Sequence, residues 1–387
     1  MNRILSIIVI AQFFCTSLWF AGNAIMPDLI IQLHLNQSFL ANLTSSVQFG
    51  FIAGTLAFAL LAIADRFSPS KVFFVSAIIA ALFNYAMVIE GINSSHLLFL
   101  RFFTGFFLAG IYPVGMKIAS DYYQKGLGKS LGFLVGALVF GTAFPHLLKS
   151  LTTAFPWKYV VFTTSALSLI GGLIMLVFVA DGPYRKAGLP LKLKGILQVF
   201  KNTKFKAAVL GYFGHMWELY AFWAFVPLML KAYKNHYPSS DLNIPLFSFL
   251  IIASGGLACA FSGILSQKIS PKKIAVLSLS LSGLCCLVSP LFLFGNSVIL
   301  LLIFLFIWGL VVVADSPLLS TLVAQNAPES SRGTALTLVN SLGFAITIIS
   351  IQLLNSLSQL VNEQYLYILL ALGPILGVLA LSKKELN

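Results

Sequence analysis

The segment Ala64-Asp65-Arg66-Phe67-Ser68-Pro69-Ser70-Lys71-Val72 is a polar island between two long apolar runs. It returns 202 residues later as Ser266-Gln267-Lys268-Ile269-Ser270-Pro271-Lys272-Lys273-Ile274. Ser-Pro holds the same place in both copies. A basic residue precedes the Ser by two positions (Arg66, Lys268), and another follows the Pro by two (Lys71, Lys273). The chain has 387 residues, so the offset is close to half its length. A repeat on that scale predicts a duplicated architecture.

Composition sets the solvent. Charged residues are 9% and hydrophobic ones 59%, where a soluble domain carries roughly 25% charge. Such a chain cannot cover itself with a water-compatible surface. The expected class is an all-α polytopic membrane protein. The net charge of +13 does not point to nucleic acid, which needs a contiguous basic face. The basic residues lie instead in short segments between apolar runs, where insertion topology and anionic lipid account for them. Cys15, Cys259, Cys285 and Cys286 all fall inside apolar runs and read as small buried hydrophobes, without metal-ligand spacing.

A membrane-crossing helix needs ~20 apolar residues. That ruler predicts twelve spans, near 4–30, 39–63, 72–92, 96–120, 127–148, 158–180, 206–231, 244–266, 273–294, 297–325, 332–356 and 364–382. The first run continues to about Pro27, longer than the roughly 7–15 residues of a signal core, and is expected to be an uncleaved span. With the N-terminus in the cytoplasm, eighteen Lys and Arg fall in inside segments. Only Lys149, Lys158, Lys231 and Lys234 fall outside. Both termini are therefore expected in the cytoplasm, with the chain in a plasma membrane such as the bacterial inner membrane.

Residues 181–205 carry much of the inside charge. They read either as an amphipathic helix on the inner leaflet or as a plain basic linker. Either way they separate a six-span half, residues 1–180, from a second, residues 206–387. The halves match further. Gly105 and Pro113 in span four are spaced like Gly309 and Pro317 in span ten. Pro27 of span one also corresponds to Pro227 of span seven. Interrupted helices at matching places point to the central site of a transporter, because Pro removes a backbone donor and frees carbonyls.

These features resemble the major facilitator superfamily of secondary transporters. Its motif after span two, Gly-x-Leu-Ala-Asp-Arg-x-Gly-Arg-Arg/Lys, is matched here by Ala64-Asp65-Arg66 and Lys71. Leu61 and Ser68 replace the two glycines. The second copy, around Gly263, Leu265, Gln267 and Lys268, has lost its carboxylate. Arg101-Phe-Phe-Thr104-Gly105 is similar to the family's span-four Arg-x-x-Gln-Gly. The resemblance implies two pseudo-symmetric six-helix bundles around a midplane cavity. Span five, Gly132-Phe-Leu-Val-Gly136-Ala137, lacks the Pro of proton-linked drug exporters. The Arg residues of nitrate porters in spans two and eight, and the sugar-porter signature, are absent.

A charge at mid-bilayer costs roughly 2.5–3.5 kcal/mol on insertion scales, so each deep ionisable residue is a functional candidate. Glu218 stands near the middle of span seven, with His215 three residues earlier on the same helical face. Burial disfavours the charged form of such groups. A proton-coupling or substrate-cation site is one reading, and a structural ion pair with Arg101 or Lys117 is the other. Arg101 reads either as a coupling residue or as a charge reaching the outer interface. Asp315 and Tyr112 each stand close before a kinking Pro, as a second carboxylate and a hydrogen-bond donor to ligand. Lys117 reads as a positive group for an anionic substrate or as a snorkelling lysine. Asn23, Gln48 and Asn340 read chiefly as interhelical hydrogen bonds. Trp217 and Tyr220 belong to an aromatic cluster that either packs or stacks on ligand. Gly132 and Gly136 are expected to bring spans together.

The expected function is secondary transport of a small organic solute by alternating access, coupled to protons. Two alternatives stand beside it: a multidrug or metabolite exporter of the same fold, and a non-transporting membrane sensor. No cofactor, metal or enzymatic activity is expected. No Gly-x-x-x-x-Gly-Lys-Ser/Thr loop offers an ATP drive. The expected partners are the solute, H+ and the bilayer, with the chain acting as a monomer. The opening segment is expected to be a conformational latch. Asp65 would face the helix N-terminus near Arg332, and Asp121 would pair with Arg66 or Lys71.

Overall fold

A computed structural model describes residues 3–123, 127–151, 156–185, 201–328 and 332–383. Among them all regular structure is helical, and ten helices are long and apolar enough to cross a membrane. Two further helical segments stand where the first and seventh of the twelve expected spans fall. Span one is a broken series, Arg3–Thr16, Ala21–Ala24 and Met26–Leu33. Span seven is one 34-residue helix, Thr203–His236, with Lys and His near its ends.

Spans two and three are Phe39–Leu60 and Pro69–Tyr85, and span four is Ser94–Leu108 followed by Tyr112–Tyr122. Spans five and six are Leu127–Leu151 and Lys158–Phe178. In the second half, spans eight and nine are Ile244–Leu265 and Pro271–Leu293, and span ten is Val298–Ala314 followed by Ser316–Asn326. Span eleven is Arg332–Leu357, and span twelve ends in Leu372–Ser382. The end of the molecule that carries Asp65 is called the motif end below, and the opposite one the far end.

The repeat in sequence is a repeat in structure. Pro69 and Pro271 each open a helix, behind Ser68 (φ −57°, ψ 123°) and Ser270 (φ −52°, ψ 127°). Pro holds its predecessor extended and is pre-set for the first helical turn. The same logic breaks spans four and ten. Pro113 and Pro317 stand at the second position of the segment after the break. Gly105 and Gly309 also act alike. A Cβ on Gly105 would collide with the Val47 carbonyl, and one on Gly309 with the Ile251 carbonyl. Each glycine lets the broken helix lie directly on its neighbour, span two or span eight.

Pro27 and Pro227 match in position but not in effect. Pro27 starts the last segment of span one, whereas Pro227 lies inside a helix that continues unbroken. One missing donor is tolerated there because span seven is packed against spans eleven and twelve.

The two halves meet along two seams. Spans five and eight pack closely at Gly132 and Gly136, where an added Cβ would stand 2.8 Å from the Cys259 and Gly256 carbonyls. At the far end of this seam, Asn243 Nδ2 donates to Ser150 Oγ at 3.1 Å. Spans two and eleven are joined by Thr347 Oγ1 donating to Gln48 Oε1. Gln352 Nε2 adds bonds to Asn42 Oδ1 (3.1 Å) and Ser45 Oγ (3.0 Å). These three side-chain bonds between the two spans lie in the far half. At the motif end of span eleven, a Cβ on Gly333 would meet nothing within 4 Å. Only residues 181–185 and 201–205 of the basic connection fall within the described residues. The amphipathic helix expected near 189–201 therefore lies almost wholly outside them.

Candidate functional site

Two buried polar clusters stand in the second half, both starting from span seven. Glu218 is fully buried, and one oxygen, Oε1, accepts three hydrogen bonds. The donors are Ser282 Oγ (2.5 Å) and Cys286 Sγ (3.2 Å) of span nine, and Trp308 Nε1 (2.6 Å) of span ten. Glu218 thus pairs with neither Arg101 nor Lys117, and of the two readings of this residue the structural ion pair is not formed. Three neutral donors keep a carboxyl oxygen satisfied inside the bundle without a counter-charge.

His215 also turns toward span ten. Its Nδ1 lies 2.9 Å from Asp315 Oδ1, a close polar approach rather than an aligned hydrogen bond. Asp315 is the residue at which span ten breaks, and it is buried. Its carbonyl receives the first bonds of the next segment, from Leu318 (3.0 Å) and Leu319 (2.8 Å). The break thus holds a carboxylate in the bundle interior. Glu218 and Asp315 are within electrostatic range of each other, with His215 beside both.

The first half meets this group through Tyr112, the residue that begins the second segment of span four. Tyr112 is within electrostatic range of Cys259, Tyr212 and Tyr220. Cys259 Sγ donates to the Val313 carbonyl (3.1 Å) beside Asp315. Tyr212 donates to Asn340 Oδ1 of span eleven at 2.8 Å. The break of span four therefore brings a phenol of the first half near Cys259, Tyr212 and Tyr220 of the second. On the far side, aromatic rings fill the space. Tyr220 packs on Trp19, Trp223 and Phe344 with centroids 5.9, 5.1 and 5.1 Å apart.

Arg101 does not reach an outer interface. It is fully buried, and its guanidinium donates to Asn84 Oδ1 (3.1 Å) and to the carbonyls of Leu18 (3.0 Å) and Trp19 (2.5 Å). Those carbonyls belong to the unwound stretch between Thr16 and Ala21 of span one, so Arg101 satisfies a helix break that carries no proline. Asn23 Nδ2 donates to Thr44 Oγ1 at 2.7 Å, an interhelical bond as expected. Trp217 turns away from the centre, and its Nε1 donates to the Leu369 carbonyl of span twelve at 3.2 Å.

Lys117 also lies away from the centre. Its Nζ is 3.0 Å from Asp65 Oδ1 and 3.9 Å from Asp121 Oδ1. Asp121 is thus beside Lys117, not Arg66 or Lys71, both of which are exposed. A residue one helical turn away reaches it more easily than side chains on another helix. Asp181 and Arg185 complete the cluster, and sequence reasoning had not singled them out. They form an ion pair with each other. Ser68 Oγ donates to Asp181 (2.7 Å), and Arg185 donates to the carbonyls of Asp65 (3.2 Å) and Phe67 (2.8 Å). Their i,i+4 spacing just after span six was the available signal. The side chain of Arg332 lies outside the described residues.

Three comparisons bear on this architecture. Searched against curated proteins, the chain has no match. Among solved structures it is similar to the human organic anion transporter MFSD10 (TETRAN), with a TM-score of 0.76 at 14% identity over 98% of this chain and 99% of that one. At that identity the likeness speaks for the fold alone. The model of the Major Facilitator Superfamily matches residues 8–351, so the chain is a multi-pass membrane protein of the transporter type and belongs to the major facilitator superfamily.

Proposed function

We propose that this chain is a proton-coupled secondary transporter for a small organic solute, working by alternating access of its two halves. The observation that carries this reading is the His215–Asp315 approach of 2.9 Å at the break of span ten. A carboxylate and an imidazole kept inside a bilayer are costly unless they work. Proton gain or loss at this pair changes its charge, and with it the preference for one arrangement of the break. Glu218, one turn from His215, serves as the second carboxylate of the relay. The solute binds between Tyr112 and this pair, where hydrogen-bonding groups of both halves converge.

Arg101 and Lys117 are engaged elsewhere, which leaves the centre without their positive charge. The groups left at the centre favour a solute with hydrogen-bond donors or an amine. The far-end bonds at Gln48–Thr347 and Gln352 fit a conformation closed on that side, the outer one by the distribution of Lys and Arg. Division at the 181–205 connection, with both termini in the cytoplasm, is part of the same reading.

The test is a ligand-stabilisation screen of purified protein at two pH values, followed by uptake of the hit into proteoliposomes. The expected result is uptake that responds to an imposed pH gradient. Binding without flux would favour a sensor, and dye efflux with broad competition would favour an exporter.

A further inference from the structure

A second feature lies outside the central site. A groove of about 1480 Å³ runs along span seven between spans eleven and twelve. That exceeds the roughly 300–1,000 Å³ of a pocket for a drug-sized ligand. Its apolar walls include Phe213, Trp217, Ile349, Leu372 and Leu376. Ile349, Leu372 and Leu376 are half or more exposed, so the groove opens sideways to the hydrocarbon of the membrane.

One end is different. Lys201, Lys204, Lys206, Lys272 and Lys383 surround the mouth, all exposed. Among the described residues lining the groove there is no carboxylate. Thirteen residues separate Lys204 from Trp217, which is roughly 20 Å of helix. A hydrocarbon core is ≈ 30 Å thick, so the groove spans about one leaflet, with its basic mouth at headgroup level.

We propose that this groove holds one anionic phospholipid, with its phosphate among the lysines and an acyl chain lying along span seven to Trp217. Charge complementarity selects the headgroup. The depth and the lateral opening select a lipid over a soluble anion, which would leave the apolar walls uncovered. Basic pockets between spans are a general way to hold such headgroups. The occupant touches span seven on the face opposite His215 and Asp315, so lipid composition and the central site share one helix.

The test uses the full chain in phosphatidylcholine nanodiscs doped with acyl-brominated phosphatidylglycerol or, at equal mole fraction, acyl-brominated phosphatidylcholine. Bromine quenches nearby tryptophan. Of the five tryptophans, Trp19, Trp223 and Trp308 are fully buried and Trp157 lies at the far end, before Lys158–Phe178, which leaves Trp217 as the reporter inside the groove. The expected result is stronger quenching by phosphatidylglycerol, lost in Trp217→Phe. In the Lys201→Gln/Lys204→Gln/Lys272→Gln variant, the preference for phosphatidylglycerol weakens by roughly fivefold per lysine removed. Equal quenching by the two lipids would overturn the proposal, and is the result expected if the chain's own 186–200 segment fills the groove. A lysine variant that keeps the full preference would overturn it as well.

Discussion

Lys117 Nζ lies 3.0 Å from Asp65 Oδ1, so the acid of the motif after span two is held by span four of its own half. Arg185 donates to the backbone of the same turn. The motif is thus tied down by span four and by the start of the 181–205 connection. Under the proposed alternating access, with the far ends of spans two and eleven joined, this would be the released position of a latch. In the opposite arrangement Asp65 would turn to the start of span eleven, whose free amides favour a carboxylate.

Asp65→Asn tests that exchange. Both partners of the pair are about one-quarter exposed, and such pairs contribute roughly 0–1 kcal/mol. Thermal stability should therefore change little. Uptake should fall about tenfold, while the ligand-induced shift in melting temperature stays as in the parent. A large loss of binding would place the motif at the substrate site instead.

Arg101→Met should act on stability. It leaves the Trp19 carbonyl and the Asn84 amide oxygen without their side-chain donor, and the Leu18 carbonyl with only the long bond from the Ala21 N–H (3.4 Å). Unsatisfied buried groups cost about 1–3 kcal/mol each. Unfolding in detergent should show a loss of about 3 kcal/mol or more. Arg101→Lys should recover only part of it, because an ammonium cannot copy the planar fork. Parent-like stability in Arg101→Met would contradict the role given to this residue.

Gly105→Ala and Gly309→Ala should each destabilise by about 1–3 kcal/mol, the usual cost of overpacking, because the added methyl meets a backbone carbonyl. Gly333→Ala is the matched control, with open space at its Cβ. Its stability should be unchanged or slightly raised.

Thr347→Val should loosen the far end by removing the donor to Gln48. Interhelical bonds of this kind are worth about 0.6 kcal/mol on average and at most about 1.7, so the closed fraction should drop by a modest factor. Spin labels at the exposed Gln37 and Leu360, just beyond the far ends of the two spans, would report it. A new population at longer distance is expected, and an unchanged distribution would mean that the bond does not hold the gate.

Much of this architecture could be read from residues. Ser-Pro at 68–69 and 270–271 marks two helix starts, and Pro113 and Pro317 mark the breaks of spans four and ten. These are local effects of proline on its own backbone. The break of span one between Thr16 and Ala21 carries no such mark. It depends on a guanidinium 82 residues away from Trp19, and no pattern near Leu18 announces it. The spacing of His215 and Glu218 correctly put both in one buried stretch but left their partners open. Those partners, Asp315 and Ser282, were decided by the packing of spans nine and ten. Lys117 was grouped with the substrate residues by depth alone. Its place four residues before Asp121 was the better guide.

The most direct test of the account is pH-gradient-driven uptake in proteoliposomes, comparing the parent with Asp315→Asn and Glu218→Gln. Glutamine keeps an oxygen to accept from Ser282, Cys286 and Trp308, so the fold should survive the second change. Both variants are predicted to lose the response to the gradient while still exchanging solute across the membrane at equal pH. Full gradient-driven uptake in both would contradict proton coupling through this site.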